Sequence, residues 1–407
     1  MKKAIRLVIV CVLTMAFLTA CGKAATDTAD TSTATDAETT VDDTATDTTE
    51  SEGSVFKIGG IGPLTGGVAV YGLAVKNGAQ LAVDEINAAG GINGTKIEFN
   101  FQDDEHDAEK AVNAYNTLKD WDMQMLMGTV TSTPCIAVAE ETNRDQIFQL
   151  TPSGSAVPCV QYDNAFRVCF SDPNQGIASA QYIGKNKLAT KVAVIYDSSD
   201  VYSSGIYEKF AAESANQGFE IVAAEAFTAD SKTDFSVQLQ KAKDSGAELV
   251  FLPIYYPEAS LLLSQANTMG FDTTFFGCDG LDGILTVENF DTSLAEGVML
   301  LTPFAADAQD DYTKTFVASF QKAYGEVPNQ FAADAYDAIY IMKAAIEAGN
   351  VTVDMSEKDI CEALKTAMTT ISVDGLTGEG MTWTADGEVD KEPKAVKIEN
   401  AAYVAMQ

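Results

Sequence analysis

The chain has 407 residues, with 26 Lys and Arg against 59 Asp and Glu, for a formal net charge of −33. Such a charge opposes any phosphate backbone and argues against nucleic-acid binding. It holds one histidine, so a Ser-His-Asp triad or a multi-histidine zinc site would have to be built on His106.

The first residues read as a processing signal. Lys2, Lys3 and Arg6 precede an apolar run from Leu7 to Ala20, too short to span a bilayer comfortably. The run ends in Leu18-Thr19-Ala20-Cys21, which resembles the lipobox of bacterial lipoproteins, so residues 1–21 are expected to be a lipoprotein signal with Cys21 as the acylated residue. Residues 22–54 are mostly Ala, Thr, Asp, Ser and Glu, with Lys23 against nine acids. A stretch of that composition cannot bury a core and reads as an extended, self-repelling tether.

Beyond it the chain alternates strand and helix patterns. Strands are expected at Val55–Ile61, Thr95–Gln102, Asp122–Met127 and Gln146–Leu150, and helices at Tyr71–Ala88, after Asp107 as N-cap, and at Pro134–Asn143. The pattern restarts with strands at Lys191–Tyr196, Gly218–Ala226 and Glu248–Leu252, and helices at Tyr202–Gln217, Thr233–Ser245 and Pro257–Met269. A further strand is expected at Gly297–Leu301, followed by helices at Asp310–Tyr324, Phe331–Ala348 and Glu357–Met368. Strands at Leu376–Trp383 and Ala395–Val404 are expected to close the chain. Strands separated by helices of this length mean βαβ units and parallel sheets, here in two similar α/β lobes. In such sheets ligands bind beyond the carboxyl ends of the strands.

Each loop at those ends carries its own chemistry. Gly59–Gly67 is glycine-rich but fits neither the dinucleotide fingerprint nor the P-loop, leaving a close backbone approach to a ligand or plain turn chemistry. Asp103–Asp107 lacks the glycine and glutamate of a calcium loop and reads as a solvated helix cap. At Thr129–Pro134, Pro134 suits the first helical position and Thr133 the N-cap. The hydroxyls and free N–H groups there suit a carboxylate, or ordinary capping. Ser153 and Ser155 lie at the same edge without a nucleophile elbow. Asp279 could receive an ammonium or simply form an Asp-Gly turn. Tyr71, Tyr202 and Tyr255 suit a pocket wall or a core.

Of the seven cysteines, the five in the body form neither a metal motif nor a disulfide framework. Cys135 and Cys159, each following a proline, are candidates for one bridge.

The opening string KIGGIGPLTGGVAVYGLAVKNGAQLAVDEINAAGGINGTKIEFNFQDDE resembles the branched-chain amino-acid binding proteins of ABC importers, which are type I periplasmic binding proteins. GTVTSTP, LTPSGS, FRVCFSDPNQG, VAVIYDSSDVYSSG, TDFSVQL, VFLPIYYPEA, FFGCDGLDG and GLTGEGMTWTADGEV follow in order through nearly all the body. The resemblance implies an α/β fold of two doubly wound lobes joined by three crossovers, near Val168–Asp172, Met299–Pro303 and Asp374–Leu376. The lobes would be 55–170 with 303–374, and 171–302 with 375–407. It implies a leucine-, isoleucine- or valine-like ligand, an ABC permease as partner, a monomer, no cofactor, no metal and no catalysis. An alternative is a binding protein or sensor for another small amide, carboxylate or amino acid. Thr131, Ser132, Thr133 and Ser155 would hold the ligand carboxylate, and the Ser153 carbonyl and Asp279 the ammonium. Tyr71, Tyr202, Tyr255 and Phe331 would form the wall. Two departures, Ser153-Gly154-Ser155 and Val157-Pro158-Cys159, fall in one loop beside this site.

Overall fold

The structure is a computed structural model that describes residues 54–406. The signal, Cys21 and nearly all of the tether lie outside the described residues.

The first sheet is built from βα units. Its elements are β1 (Phe56–Gly62), α1 (Ala69–Ala88), β2 (Ile97–Asp103), α2 (Ala108–Asp120), β3 (Met125–Gly128), α3 (Ser132–Asp145), β4 (Phe148–Thr151) and β5 (Ala165–Arg167). The strands order as β2-β1-β3-β4-β5, all parallel, with Ile58 opposite Phe99 on one side and Met125 on the other. β3 is Met-Leu-Met-Gly and buried throughout, as expected of a strand covered on both faces.

The chain then leaves through α4 (Asp172–Asn186) to β6 (Lys191–Asp197), α5 (Val201–Ser214), β7 (Glu220–Phe227), α6 (Ser236–Asp244), β8 (Leu249–Leu252), α7 (Tyr256–Thr268), β9 (Thr274–Gly277) and β10 (Met299–Thr302). It returns with α8 (Asp311–Tyr324), α9 (Gln330–Ala348) and α10 (Glu357–Met368), and ends in β11 (Lys394–Glu399) and β12 (Ala402–Ala405). The second sheet orders as β12-β11-β10-β9-β8-β6-β7, parallel except for the final hairpin. Helices α8 and α9 pack on α1, and α10 on β4, so the third stretch of chain completes the first lobe. The close approach of α1 and α9 depends on Gly78, where a Cβ would stand 2.1 Å from the Ala332 carbonyl oxygen.

Local chemistry sets the boundaries. Asp107, Asp310 and Ser356 cap α2, α8 and α10 by accepting from the amides of Lys110, Thr313 and Asp359. β3 starts later than expected because Asp122 takes a left-handed turn, φ 60°. Helix α4 is an element for which the sequence pattern gave no expectation; it follows directly on the expected crossover near Val168–Asp172. Pro173 sits in the first turn, where no N–H is needed. The glycines let α4 meet its neighbours closely: a Cβ would lie 2.4 Å from Ile206 O at Gly176 and 2.5 Å from Gln217 O at Gly184.

The C-terminal expectations need correcting. Leu376–Trp383 is not a strand. It makes single bridges, Val373 to Met381 and Trp383 to Val389, while Leu376, Met381 and Trp383 are buried. Nor does the chain cross at 374–376. The Trp383 indole donates to Arg167 O at 2.8 Å, the Arg167 amide to Gly387 O at 3.1 Å, and Lys391 Nζ to Val168 O at 2.9 Å. The segment therefore stays beside β5 until just before β11. The expected strand Ala395–Val404 is a hairpin, turned by Asn400 and Ala401 at φ 53° and 57°.

Candidate ligand-binding cleft

Loops from the carboxyl ends of both sheets meet at one cleft. Its lining is Tyr71, Val130, Thr131, Ser132, Ser153, Ser155, Tyr202, Tyr255, Asp279, Gly280 and Phe331. Every residue expected at the site is there except Thr133, which is exposed on the first turn of α3. The reason is a shift of the helix start. Helix α3 begins at Ser132 with Thr131 as the flanking residue, and Pro134 stands third.

One side of the cleft is made of hydroxyls. Ser132 opens α3, whose first-turn N–H groups have no partner within the helix. Ser132 Oγ accepts from the Ala156 amide at 3.2 Å, tying α3 to the loop after β4. Ser153 Oγ donates to Val130 O at 2.7 Å, so this hydroxyl is already committed. Arg167, fully buried, donates to the carbonyls of Ser155 and Ala156 and fixes the loop from below.

The other side is acidic. Asp279 is 5% exposed. Its carboxylate accepts from the Tyr202 hydroxyl at 2.7 Å and from Gln175 Nε2 at 3.0 Å. Burial, with the Asp334 charge adding to it, pushes the Asp279 carboxyl up to about 7. Gln330 Nε2 donates to Asp279 O at 2.8 Å, so the turn is held from α9 as well. Asp279 is thus a buried, oriented carboxylate in a short helical turn, with no cationic side chain on it among the described residues, and a ready partner for an ammonium.

Aromatic rings close the remaining walls. Tyr202 and Tyr255 stack at 4.8 Å and 9°, and Tyr71 lies 4.3 Å from Phe331. The Tyr71 hydroxyl donates to Gly280 O at 2.5 Å, and that of Tyr256 to Gly67 O at 2.9 Å. These bonds run from loops of the first sheet to loops of the second.

Sequence reasoning missed His106, Gln175, Arg167 and Gln330. The expected cap at Asp107 is present, but the loop before it also sets His106 against two residues of the cleft wall, Thr131 and Tyr255. His106 Nδ1 is 2.8 Å from Thr131 Oγ1, and its ring meets Tyr255 edge-on at 5.6 Å. Burial, and then Lys232, push the imidazole down to about 4. Asp103 does not face the cleft; it accepts from the Leu64 amide at 2.8 Å and Thr65 Oγ1 at 2.6 Å, pinning the glycine-rich loop as a turn. Among the described residues no cluster of His, Cys, Asp and Glu could hold a metal.

A buried carboxylate facing hydroxyls and a helix start, inside a cleft between two parallel sheets, is the geometry of a solute receptor. The family model described as periplasmic binding protein matches residues 55–402. The chain belongs to the periplasmic binding protein family. The Leu/Ile/Val-binding protein homolog 3 of Brucella melitensis is 32% identical over 73% of this chain and 80% of its own length. The leucine-, isoleucine-, valine-, threonine- and alanine-binding protein of Pseudomonas aeruginosa is 28% identical over 76% and 82%. The crystal structure of the branched-chain amino acid transporter substrate binding protein LivJ from Streptococcus pneumoniae, in complex with isoleucine, superposes with a TM-score of 0.77. It is 28% identical and covers 86% of this chain and 100% of that one. The fold is accordingly the type I periplasmic binding protein fold, and the resemblance to branched-chain amino-acid binding proteins holds. The family also implies an extracytoplasmic location.

Proposed function

We propose that this protein captures an aliphatic amino acid outside the cytoplasm and delivers it to an ABC permease, without catalysing a reaction. The observation that carries the reading is the pairing of Asp279 with the α3 start across one small cleft. Asp279 takes the ammonium together with the Ser153 carbonyl. The Ser132 and Ser155 hydroxyls and the first amides of α3, favoured by the helix dipole, take the carboxylate. The aromatic wall receives the apolar side chain. The bodies that move against each other are 55–170 with 303 to about 391, and 171–302 with the C-terminal hairpin.

Relatives whose names specify leucine, isoleucine and valine support this ligand class. A hydrolase is disfavoured: His106 is packed between Thr131 and Tyr255, and neither cleft serine has a base on it. A thermal-shift screen over amino acids, small amides and carboxylates tests the proposal. Ligand at 100 times Kd adds about 2.7 kcal/mol, which is readily seen. Stabilisation by leucine, isoleucine or valine supports the reading, and stabilisation by amine-free acids alone refutes it.

Cys21 anchors the mature chain through its acyl groups, and two chains suffice for stable attachment. The protein works as a monomer at the end of its acidic tether. The intact mass of membrane-extracted protein reads the anchor directly; an unmodified chain beginning elsewhere rules it out.

A further inference from the structure

Directly behind the hydroxyl side of the cleft lie two cysteines that ligand binding does not use. Cys135 is in the first turn of α3 and Cys159 in the short turn after Pro158. Both are fully buried and pack together with Ala156 in one small cluster. The Cys159 thiol also donates to Ser132 O at 3.7 Å, and Gln149 Nε2 donates to Cys135 Sγ at 3.5 Å. The structure holds both as free thiols. Elsewhere Cys278 lies against Ser179 in the core of the second sheet, and Cys361 in the large core that includes α9 and α10.

We propose that Cys135 and Cys159 form a disulfide in the mature protein, clamping α3 to the loop that carries Ser153 and Ser155. Adjacent buried thiols in an extracytoplasmic protein meet the two requirements for a bridge, proximity and an oxidising compartment. The oxidant is a disulfide, R–S–S–R. One cysteine attacks it as thiolate and releases R–SH; the second cysteine then attacks the mixed disulfide and releases another R–SH. Two electrons and two protons pass to the oxidant. Because neither sulfur is exposed in the folded protein, the bridge forms during folding, before the loop closes over it.

The bond joins the two segments that meet the ligand carboxylate. It therefore limits the motion of Ser132 relative to Ser155 and closes a loop of about 25 residues, which raises the melting midpoint by roughly 5 °C. The inference rests on the proposed function only for the extracytoplasmic address. The covalent bond is read without any ligand, so its absence and a failed amino-acid response are separate results.

The test uses the full chain exported by its host, denatured in acid, alkylated without reductant and digested with trypsin. Cys135 falls in the peptide Asp120–Arg144 and Cys159 in the peptide Asp145–Arg167. The expected result is one linked pair of these peptides, separated on reduction. Recovery of both peptides with alkylated cysteines would overturn the proposal. Reduction is also expected to lower the melting midpoint by about 5 °C. The double variant C135A/C159A should lose all response to reductant, whatever its own midpoint. A wild-type midpoint that ignores reductant would overturn the clamp.

Discussion

The Tyr202 hydroxyl donates to Asp279 Oδ1 at 2.7 Å while accepting from the Gly280 amide at 3.0 Å. One phenol thus holds both the backbone and the side chain of the turn after β9. Gln175 completes the hold from α4 at 3.0 Å. The carboxylate is left with two neutral donors, too little to balance a buried charge, which is why its proton affinity rises in the closed cleft. A ligand ammonium supplies the missing counter-charge.

Stability should therefore depend on pH in an unusual direction. Asp279 and Asp104 are pushed up to about 7, and Asp200, Asp282 and Asp334 to about 6, in each case first by burial. A carboxyl raised on folding adds stability that is complete below its unfolded value and is lost as pH rises through its folded value. His106, pushed down to about 4, acts oppositely and loses its contribution as pH falls from its ordinary value toward 4. Five acids outweigh one histidine. Thermal unfolding of the unliganded protein should show a higher midpoint near about pH 5.5 than near about pH 8, and a bound amino acid should narrow the gap.

At the α1–α9 contact, Gly78→Ala places a methyl against the Ala332 backbone. Backbone cannot step aside as a flexible side chain can, so the helices must part. The substitution should cost about 1–3 kcal/mol in denaturant unfolding. Ligand affinity of the folded variant should be little changed, because neither residue lines the cleft.

Closure is expected to use the cross-cleft bonds. Tyr71 reaches Gly280 and Tyr256 reaches Gly67, so both bonds break when the lobes part. Small-angle scattering should show a smaller radius of gyration once ligand is added, with hinges where the chain passes between sheets. Tyr256→Phe, which loses a neutral hydrogen bond only in the closed form, should weaken affinity about 2- to 10-fold. An unchanged radius at saturating ligand would count against closure.

Much of this was legible in the sequence, for physical reasons. Strand β3 is a continuous apolar run, and α10 spans Glu357–Met368 as read, because Ser356 and a clean helical period mark it. The cleft tyrosines stand at or near helix starts, where the strand-end rule looks for ligands. What stayed hidden depends on distant partners. Gly176 and Gly184 of α4 take their meaning from close neighbours in and just beyond α5, Ile206 and Gln217. His106 looked like part of a solvated cap because nothing local shows that Thr131 and Tyr255 will enclose it. Leu376–Trp383 has the pattern of a strand but finds Arg167 and the first-lobe core in place of a ladder.

The central claim is that Asp279 binds the ammonium of a zwitterionic aliphatic amino acid. Calorimetric titration of the best amino acid from the screen into wild type and folded Asp279→Asn tests it most directly. The variant keeps the shape of the side chain and leaves a buried ammonium without its counter-charge. Losing one partner of such a pair costs about 2–5 kcal/mol, so affinity should fall roughly 30-fold to several-thousand-fold. Ser132→Ala, which removes only a neutral donor, should cost less. Near-wild-type affinity in Asp279→Asn would contradict the account, since the ligand would then carry no amine or another acid would hold it.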